Sequence, residues 1–190
     1  MKVRESGMPD EGYWEGFFDV DEILKTLQLT ANTGDVVDFG CGYGTFTIPA
    51  ARIVSGTVHA IDIEKEMVER TLRRAGKEGL FNLKAVVRDF VAEGTGLPEK
   101  SADYVMLFNI LHAELPEVML ADSYRILVKG GKLTVIHWNY DPDTPRGPPM
   151  EIRPRPEQII AWTESAGFEL LPPGIINLPP YHYGLIFARP

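Results

Sequence analysis

Apolar residues in this chain fall into short blocks that alternate between the two-residue period of strands and the wider spacing of helices. Val36, Val37 and Phe39 form a β-branched and aromatic run interrupted only by Asp38, which predicts a strand over 35–39 buried on both faces. Residues 45–53 can continue as a helix, 57–62 alternate and then turn polar at Asp62 as a second strand does, and 64–76 follow as a helix. Further strands are expected over 83–89 and 102–109. A helix over 116–128 places Val118, Leu120, Ala121, Tyr124, Ile126 and Leu127 at helical spacings, and Lys129, Gly130 and Gly131 stop it before a strand over 132–138. A first helix over 20–27, a helix over 156–166 closed by Gly167, and strands over 168–176 and 183–189 complete the pattern. Repeated strand–helix units predict an α/β domain with a parallel sheet.

Chemistry enters at the end of the first strand. An acid at the carboxyl end of a central strand faces the crevice where open α/β sheets bind ligands, so Asp38 can meet a cation there. Gly40, Gly42 and Gly44 then permit positive φ angles and a close backbone approach to a ligand, and the helix start that follows offers N–H groups to an anion. A tight strand-to-helix turn with no ligand would carry the same glycines. Asp62 stands 22 residues beyond Gly40, near the roughly 20-residue spacing between a glycine loop and an acid that accepts ribose hydroxyls. It could also cap the helix that follows it. Thr45 occupies the place where a dinucleotide fingerprint has its third glycine, and no G-x-x-x-x-G-K-[ST] phosphate loop is present, which argues against nicotinamide and nucleoside triphosphate ligands.

The apolar strand, the acid and G-x-G-x-G from Gly40 to Gly44 resemble the first motif of the class I S-adenosylmethionine-dependent methyltransferases. Residues 125–133, reading R-x-L-x-x-G-G-x-L, resemble the connection found in small-molecule enzymes of the ubiquinone and menaquinone biosynthesis type. The resemblance implies a single-domain, doubly wound, seven-stranded and mostly parallel sheet with an antiparallel C-terminal strand. It implies that Asp38, Gly40, Cys41, Gly42 and Gly44 hold the methionine end of S-adenosylmethionine, that Asp62 takes the ribose, and that Ile63 and Met67 flank the adenine. Asp89 matches the acid that contacts the adenine amino group, with Phe90 beside it, although a loop cap is an equal reading of Asp89. Asn109 stands where the family often has Asn or Asp at the end of the fourth strand.

Length and composition suit one such unit: 190 residues, 44% of them hydrophobic, form a single domain over 1–190. No run approaches the roughly 18 apolar residues of a membrane span, and the polar opening Met1, Lys2, Val3, Arg4, Glu5 lacks a secretory core, so no membrane association and a cytoplasmic location are expected. Cys41 is the one cysteine, which excludes an internal disulfide and a Cys-rich zinc site; it reads as a loop filler and not as a nucleophile, and no metal is expected. The net charge of −8 makes nucleic acid a poor partner. Oligomeric state is not legible.

Methyl transfer from a sulfonium is an in-line displacement in which alignment comes first and a base second. His112 follows the fourth strand and is the candidate base, against the plainer reading of a helix-start histidine bonded to backbone. His137 at the end of the fifth strand and His182 at an expected hairpin tip are weaker candidates. Two segments can cover the crevice: an N-terminal lid over 1–30 and a proline-rich insertion over 139–156, which supply Tyr13, Trp14, Trp138 and Arg146 as candidate acceptor contacts. Arg146, Arg153 and Arg155 could clamp an anion or simply pair with Asp141, Asp143 and Glu151 at the surface. The reading is an enzyme that methylates a small acceptor, aromatic or anionic. The alternatives are a non-catalytic module that binds S-adenosylmethionine or S-adenosylhomocysteine, and a nicotinamide-dependent reductase.

Overall fold

A computed structural model describes residues 8–190; the polar opening over 1–5 and the start of the expected lid lie outside the described residues. The strands are β1 (Val36–Phe39), β2 (Val58–Asp62), β3 (Leu83–Val87), β4 (Ala102–Phe108), β5 (Leu127–Trp138), β6 (Glu169–Leu170), β7 (Ile176–Leu178) and β8 (His182–Ala188). They form one sheet in the order β3-β2-β1-β4-β5-β8-β6, with β7 also on β8. The first five strands run parallel, and β8 runs antiparallel to β5. The helices are α1 (Glu11–Glu15), α2 (Val20–Thr26), α3 (Thr47–Ile53), α4 (Lys65–Lys77), α5 (Phe90–Glu93), α6 (Pro116–Ile126) and α7 (Pro156–Ser165).

Because strand side chains alternate, the central strands feed two cores. Val36, Tyr104 and Met106 pack with Leu24 of α2, its C-cap Leu27 and Ile48 of α3 on one face; Val37, Phe39, Val105 and Leu107 pack with Met119, Leu120 and Ile159 of α6 and α7 on the other. Both faces are therefore covered, as the doubly wound α/β class requires. The strand order reverses between β1 and β4, and the crevice outside their carboxyl ends is where such sheets bind ligands.

Two expectations need correction. Helix α6 ends at Ile126, because the fully buried Leu127 takes up extended backbone and pairs with Ala102. Gly130 and Gly131 consequently lie inside a long β5 whose register on β4 shifts between Ala102 and Tyr104, instead of ending a helix. The strand expected over 168–176 is split into β6 and β7, which raises the strand count to eight. Pro172 and Pro173 have no N–H to donate to a ladder, and the chain between the two pieces is a turn.

Candidate active site

A cavity of about 340 Å³ opens at the switch point, with Asp38, Gly40, Gly42 and Asp62 at one end and Trp14, His112, Trp138 and Arg146 among its other walls. Asp38 stands next to last in β1, and its carboxylate accepts a hydrogen bond from the Thr47 hydroxyl at 2.5 Å. Burial pushes its carboxyl up to about 7, with the Asp62 charge adding to the rise and Thr47 opposing it. A buried carboxyl in this state is a receptor for a cation, which would let it ionise.

Asp62, at the end of β2, accepts from the Gly42 N–H at 2.8 Å and the Glu64 N–H at 2.9 Å. Burial again raises its carboxyl above the ordinary range, and the backbone N–H groups of Glu64, Gly42 and Ile63 oppose the rise. Asp62 is not the cap of α4, whose N-cap is Glu64; it holds the Glu64 N–H two residues on, and each of its oxygens keeps acceptor capacity for a hydroxyl. Gly42 sits at φ +53, where a Cβ would meet only Met8, so the loop backbone faces cavity space that a side chain would fill.

Asn109, just past β4, is held at φ +55, and both atoms of its side-chain amide are buried without a hydrogen-bond partner. The Thr45 hydroxyl and His112 Nδ1 are in the same condition, and all three residues line the cavity. Unpaired buried polar atoms are costly, so their presence around the cavity marks a place for ligand groups.

Of the residues expected from sequence, Asp38, Gly40, Cys41, Gly42, Asp62, Ile63, Phe90, Asn109, His112, Trp14, Trp138 and Arg146 all line this cavity. Gly44, Met67, Asp89 and Tyr13 do not. The Gly44 Cα faces Thr71 and Ile48, Met67 is buried in α4, and Asp89 caps α5 by accepting from the Val91 and Ala92 N–H groups. Tyr13 is half-exposed and packs edge-on against Phe17. Cys41 is buried, and desolvation followed by the Asp38 and Asp62 charges raises its thiol well above the usual range, so it is no thiolate.

His112 is neutral at ordinary pH: burial, with the Arg153 charge second, pushes it down to about 4. Its ring centroid lies 5.5 Å from that of His137, which is fully buried and reaches no rim. His182 is equally buried, packed 4.6 Å from Phe18 and 4.2 Å from Trp138, because the turn tip falls at 179–181.

The cover differs from a loose lid. Tyr43 donates to the Pro9 carbonyl, and Arg74 of α4 bonds Glu11 and Glu15, which fastens α1 beside the glycine loop. In the insertion, Arg153 is buried and donates five hydrogen bonds: to the carbonyls of Asn139 and Asp141, twice to that of Pro148, and to the Thr144 hydroxyl. Arg153 is thus the staple of the loop and not a clamp for ligand, while Arg155 stacks over Tyr140 at 3.6 Å. Sequence reasoning missed Met8, Phe46, Phe108 and Ile152 on the cavity wall. Their apolar side chains carry no signal that separates a ligand wall from a core.

Among the described residues no helix is long and apolar enough to cross a membrane, and no group of three or more His, Cys, Asp or Glu side chains is placed to hold a metal ion. The sequence matches the family described as methyltransferase domain over residues 36–131, half of the chain. It is 28% identical over 115 residues to a probable cobalt-precorrin-6B C(15)-methyltransferase (decarboxylating) of Saccharolobus solfataricus, covering 59% of this chain and 57% of that protein. It is 36% identical over 101 residues to the ribosomal protein L11 methyltransferase of Methylococcus capsulatus (53% and 32%). It is 31% identical over 107 residues to the ubiquinone/menaquinone biosynthesis C-methyltransferase UbiE of a Bradyrhizobium species (55% and 42%). The match thus spans less than two thirds of each relative's length. A solved S-adenosylmethionine-dependent methyltransferase from Aquifex aeolicus shares the fold with a TM-score of 0.83 at 24% identity, covering 95% of this chain and 94% of that one.

Proposed function

The chain belongs to the methyltransferase-domain family of S-adenosylmethionine-dependent enzymes, and on that premise we propose that it methylates a small-molecule acceptor held beneath α1 and the 139–155 loop. The observation that carries the acceptor size is the cover. Met8, Pro9 and Trp14 on one side and Arg146, Gly147, Pro148 and Ile152 on the other line the same cavity, and both segments are fastened down. A folded protein surface would have to displace them, whereas a small molecule fits under them.

The residues present fit S-adenosylmethionine: Asp38 would take its ammonium group, Asp62 its ribose hydroxyls, and the Gly40–Gly42 backbone and Asn109 the polar groups between. When bound, it would supply an electrophilic methyl group on a cationic sulfur, open to displacement by an acceptor's lone pair. The protein's own work is positioning and exclusion of water, which in favourable cases lowers a barrier by roughly 7–11 kcal/mol. His112, neutral and with an unpaired Nδ1 on the cavity wall, would orient the acceptor and take its proton where that proton is acidic.

Thermal melting with S-adenosylmethionine, S-adenosylhomocysteine and NAD tests the cofactor half: the first two should raise the midpoint and NAD should not. Labelled methyl from S-adenosylmethionine, offered to a cell extract with the protein, tests the acceptor half. Label is expected in the small-molecule fraction; label confined to protein would overturn it.

A further inference from the structure

We propose that the acceptor compartment is built for an uncharged, flat and largely apolar molecule that brings one hydrogen-bond donor, a hydroxyl or an N–H, to Nδ1 of His112. The inference rests on the methyl-transfer reading for what the compartment does, and on ring contacts, charge placement and unmet hydrogen bonding for what it holds.

The charges around the cavity are already committed. Among the described residues the acids on the lining are Asp38 and Asp62, on β1 and β2, where the cofactor is expected. Arg146 also lines the cavity but is engaged in an interaction of its own. Arg153 is not part of the lining: its donors end on loop oxygens, and the Asp141 carboxylate acts on its charge. An ionic acceptor would therefore give up its water with no free counter-charge to replace it, which is costly, whereas a neutral one loses little.

The body of the compartment is aromatic. Ring centroids run from Trp138 to Trp14 at 6.4 Å, Trp14 to Phe18 at 5.0 Å, Phe18 to Phe46 at 5.1 Å and Phe46 to Phe108 at 4.8 Å, a continuous set from β5 through the cover helix α1 to the end of β4. All of these rings line the cavity except Phe18, which backs Trp14 and Phe46. Flat apolar molecules pack on such surfaces.

His112 supplies the polar point. Its Nδ1 is buried without a partner, and its ring lies 5.5 Å from that of His137 in β5, which sets it on the β4–β5 side of the cavity, across β1 from Asp62. Thr45 adjoins the glycine loop, and Asn109 is taken up with the cofactor in the reading above, which leaves His112 to the acceptor. Burial keeps its imidazole neutral at ordinary pH. A neutral imidazole has one accepting nitrogen, and a ligand that donates to Nδ1 fixes that tautomer. A ligand that completes this buried atom is favoured over one that leaves it bare.

The test uses the full chain with saturating S-adenosylhomocysteine and calorimetric titration, at about pH 7, with phenol, anisole, benzoate and benzylamine. These share one ring and carry in turn a neutral donor, no donor, a negative charge and a positive charge. Phenol should bind at least about tenfold more tightly than either ion, and about three- to tenfold more tightly than anisole, the worth of one hydrogen bond. His112→Phe should remove the margin over anisole and keep S-adenosylhomocysteine affinity. His112→Asn, whose amide oxygen can stand near the Nδ1 position, should restore part of that margin. Equal binding of the four, tighter binding of any of the other three, a margin over anisole that survives His112→Phe, or no binding of phenol to the loaded protein would overturn the proposal. If S-adenosylhomocysteine itself fails to bind, the methyl-transfer reading fails and the proposal falls with it; if it binds while the probes rank otherwise, that reading stands and the proposal alone falls.

Discussion

Asp38 shows how one buried side chain couples ligand binding to pH. Its carboxyl, raised to about 7 by burial, holds a proton in the free protein at slightly acidic pH and must release it to bind a cation. Cofactor affinity is therefore expected to fall as pH drops through about 7, by up to roughly tenfold per unit, with a proton released on binding that calorimetry in buffers of different ionisation heat can count. Asp38→Asn should flatten that profile and weaken binding most above pH 7; a wild-type profile that is already flat would remove Asp38 from the site. Asp62→Ala should weaken S-adenosylmethionine by about 1–3 kcal/mol, since hydroxyls and the Gly42 N–H lose their acceptor. Unchanged affinity in a folded variant would show that its bonds to Gly42 and Glu64 are its whole role. Gly42→Val should abolish binding while costing the fold little beyond the strain of φ +53, because its Cβ points at cavity space and the neighbouring Met8 side chain can move. At this scale Asp38, Gly40, Gly42 and Asp62, which line the cavity, could be picked out in the sequence because each stands where few other residue types are tolerated. Met67 could not, because an apolar residue on a helix face also serves packing, as it does here; Asp89 had a loop cap as an equal reading, and a cap is what the structure shows.

The 139–155 loop behaves as an element although it has no regular structure, because its carbonyls converge on one guanidinium in place of a ladder. Arg153→Gln would leave several of those acceptors without their donors, a cost on the order of 1–3 kcal/mol for each that stays buried. The expected outcome is faster proteolytic cleavage within the loop and a raised KM for the acceptor, with S-adenosylhomocysteine affinity kept. Loss of cofactor binding in parallel would mean that the loop supports the whole cavity and not the acceptor side alone. The strand–helix order of the chain was readable from periodicity. The exceptions fall where pairing overrides local signals: Gly130 and Gly131 read as a helix stop but lie in the register shift between the Leu127–Ala102 and Lys132–Tyr104 pairs, held in β5 by their backbone bonds to Arg189. Pro172 and Pro173 cut one expected strand in two without removing either piece from β8. The lack of regular structure in the insertion was legible from its prolines; its staple was not, because nothing in a sequence distinguishes an arginine that turns inward to carbonyls from one that pairs at the surface.

At the scale of the whole molecule, the folded chain takes up and refuses protons at the same centre, and the balance sets its response to acid. His112 is pushed down to about 4, His182 to about 3, and His137 well below its ordinary value, in each case chiefly by burial. A base whose folded value is depressed leaves the unfolded chain binding more protons, so the stability it contributes is lost as pH falls below about 6.5, at up to roughly 1.4 kcal/mol per pH unit for each histidine. Asp38 works the other way. Its raised value means the folded chain holds the extra proton, so its contribution is present at low pH and lost as pH rises through about 7. Free protein should therefore lose stability between pH 7 and 5 with the aspartate offsetting part of the histidine effect. A bound cation at Asp38 holds that carboxyl ionised and removes the offset, which makes the descent steeper with S-adenosylmethionine present than without it. Melting midpoints measured across that range, with and without saturating cofactor, check both halves. A midpoint that holds steady to pH 5 would mean the histidines gain partners on protonation, whereas parallel slopes in the two series would mean that the cofactor's cation lies elsewhere than at Asp38.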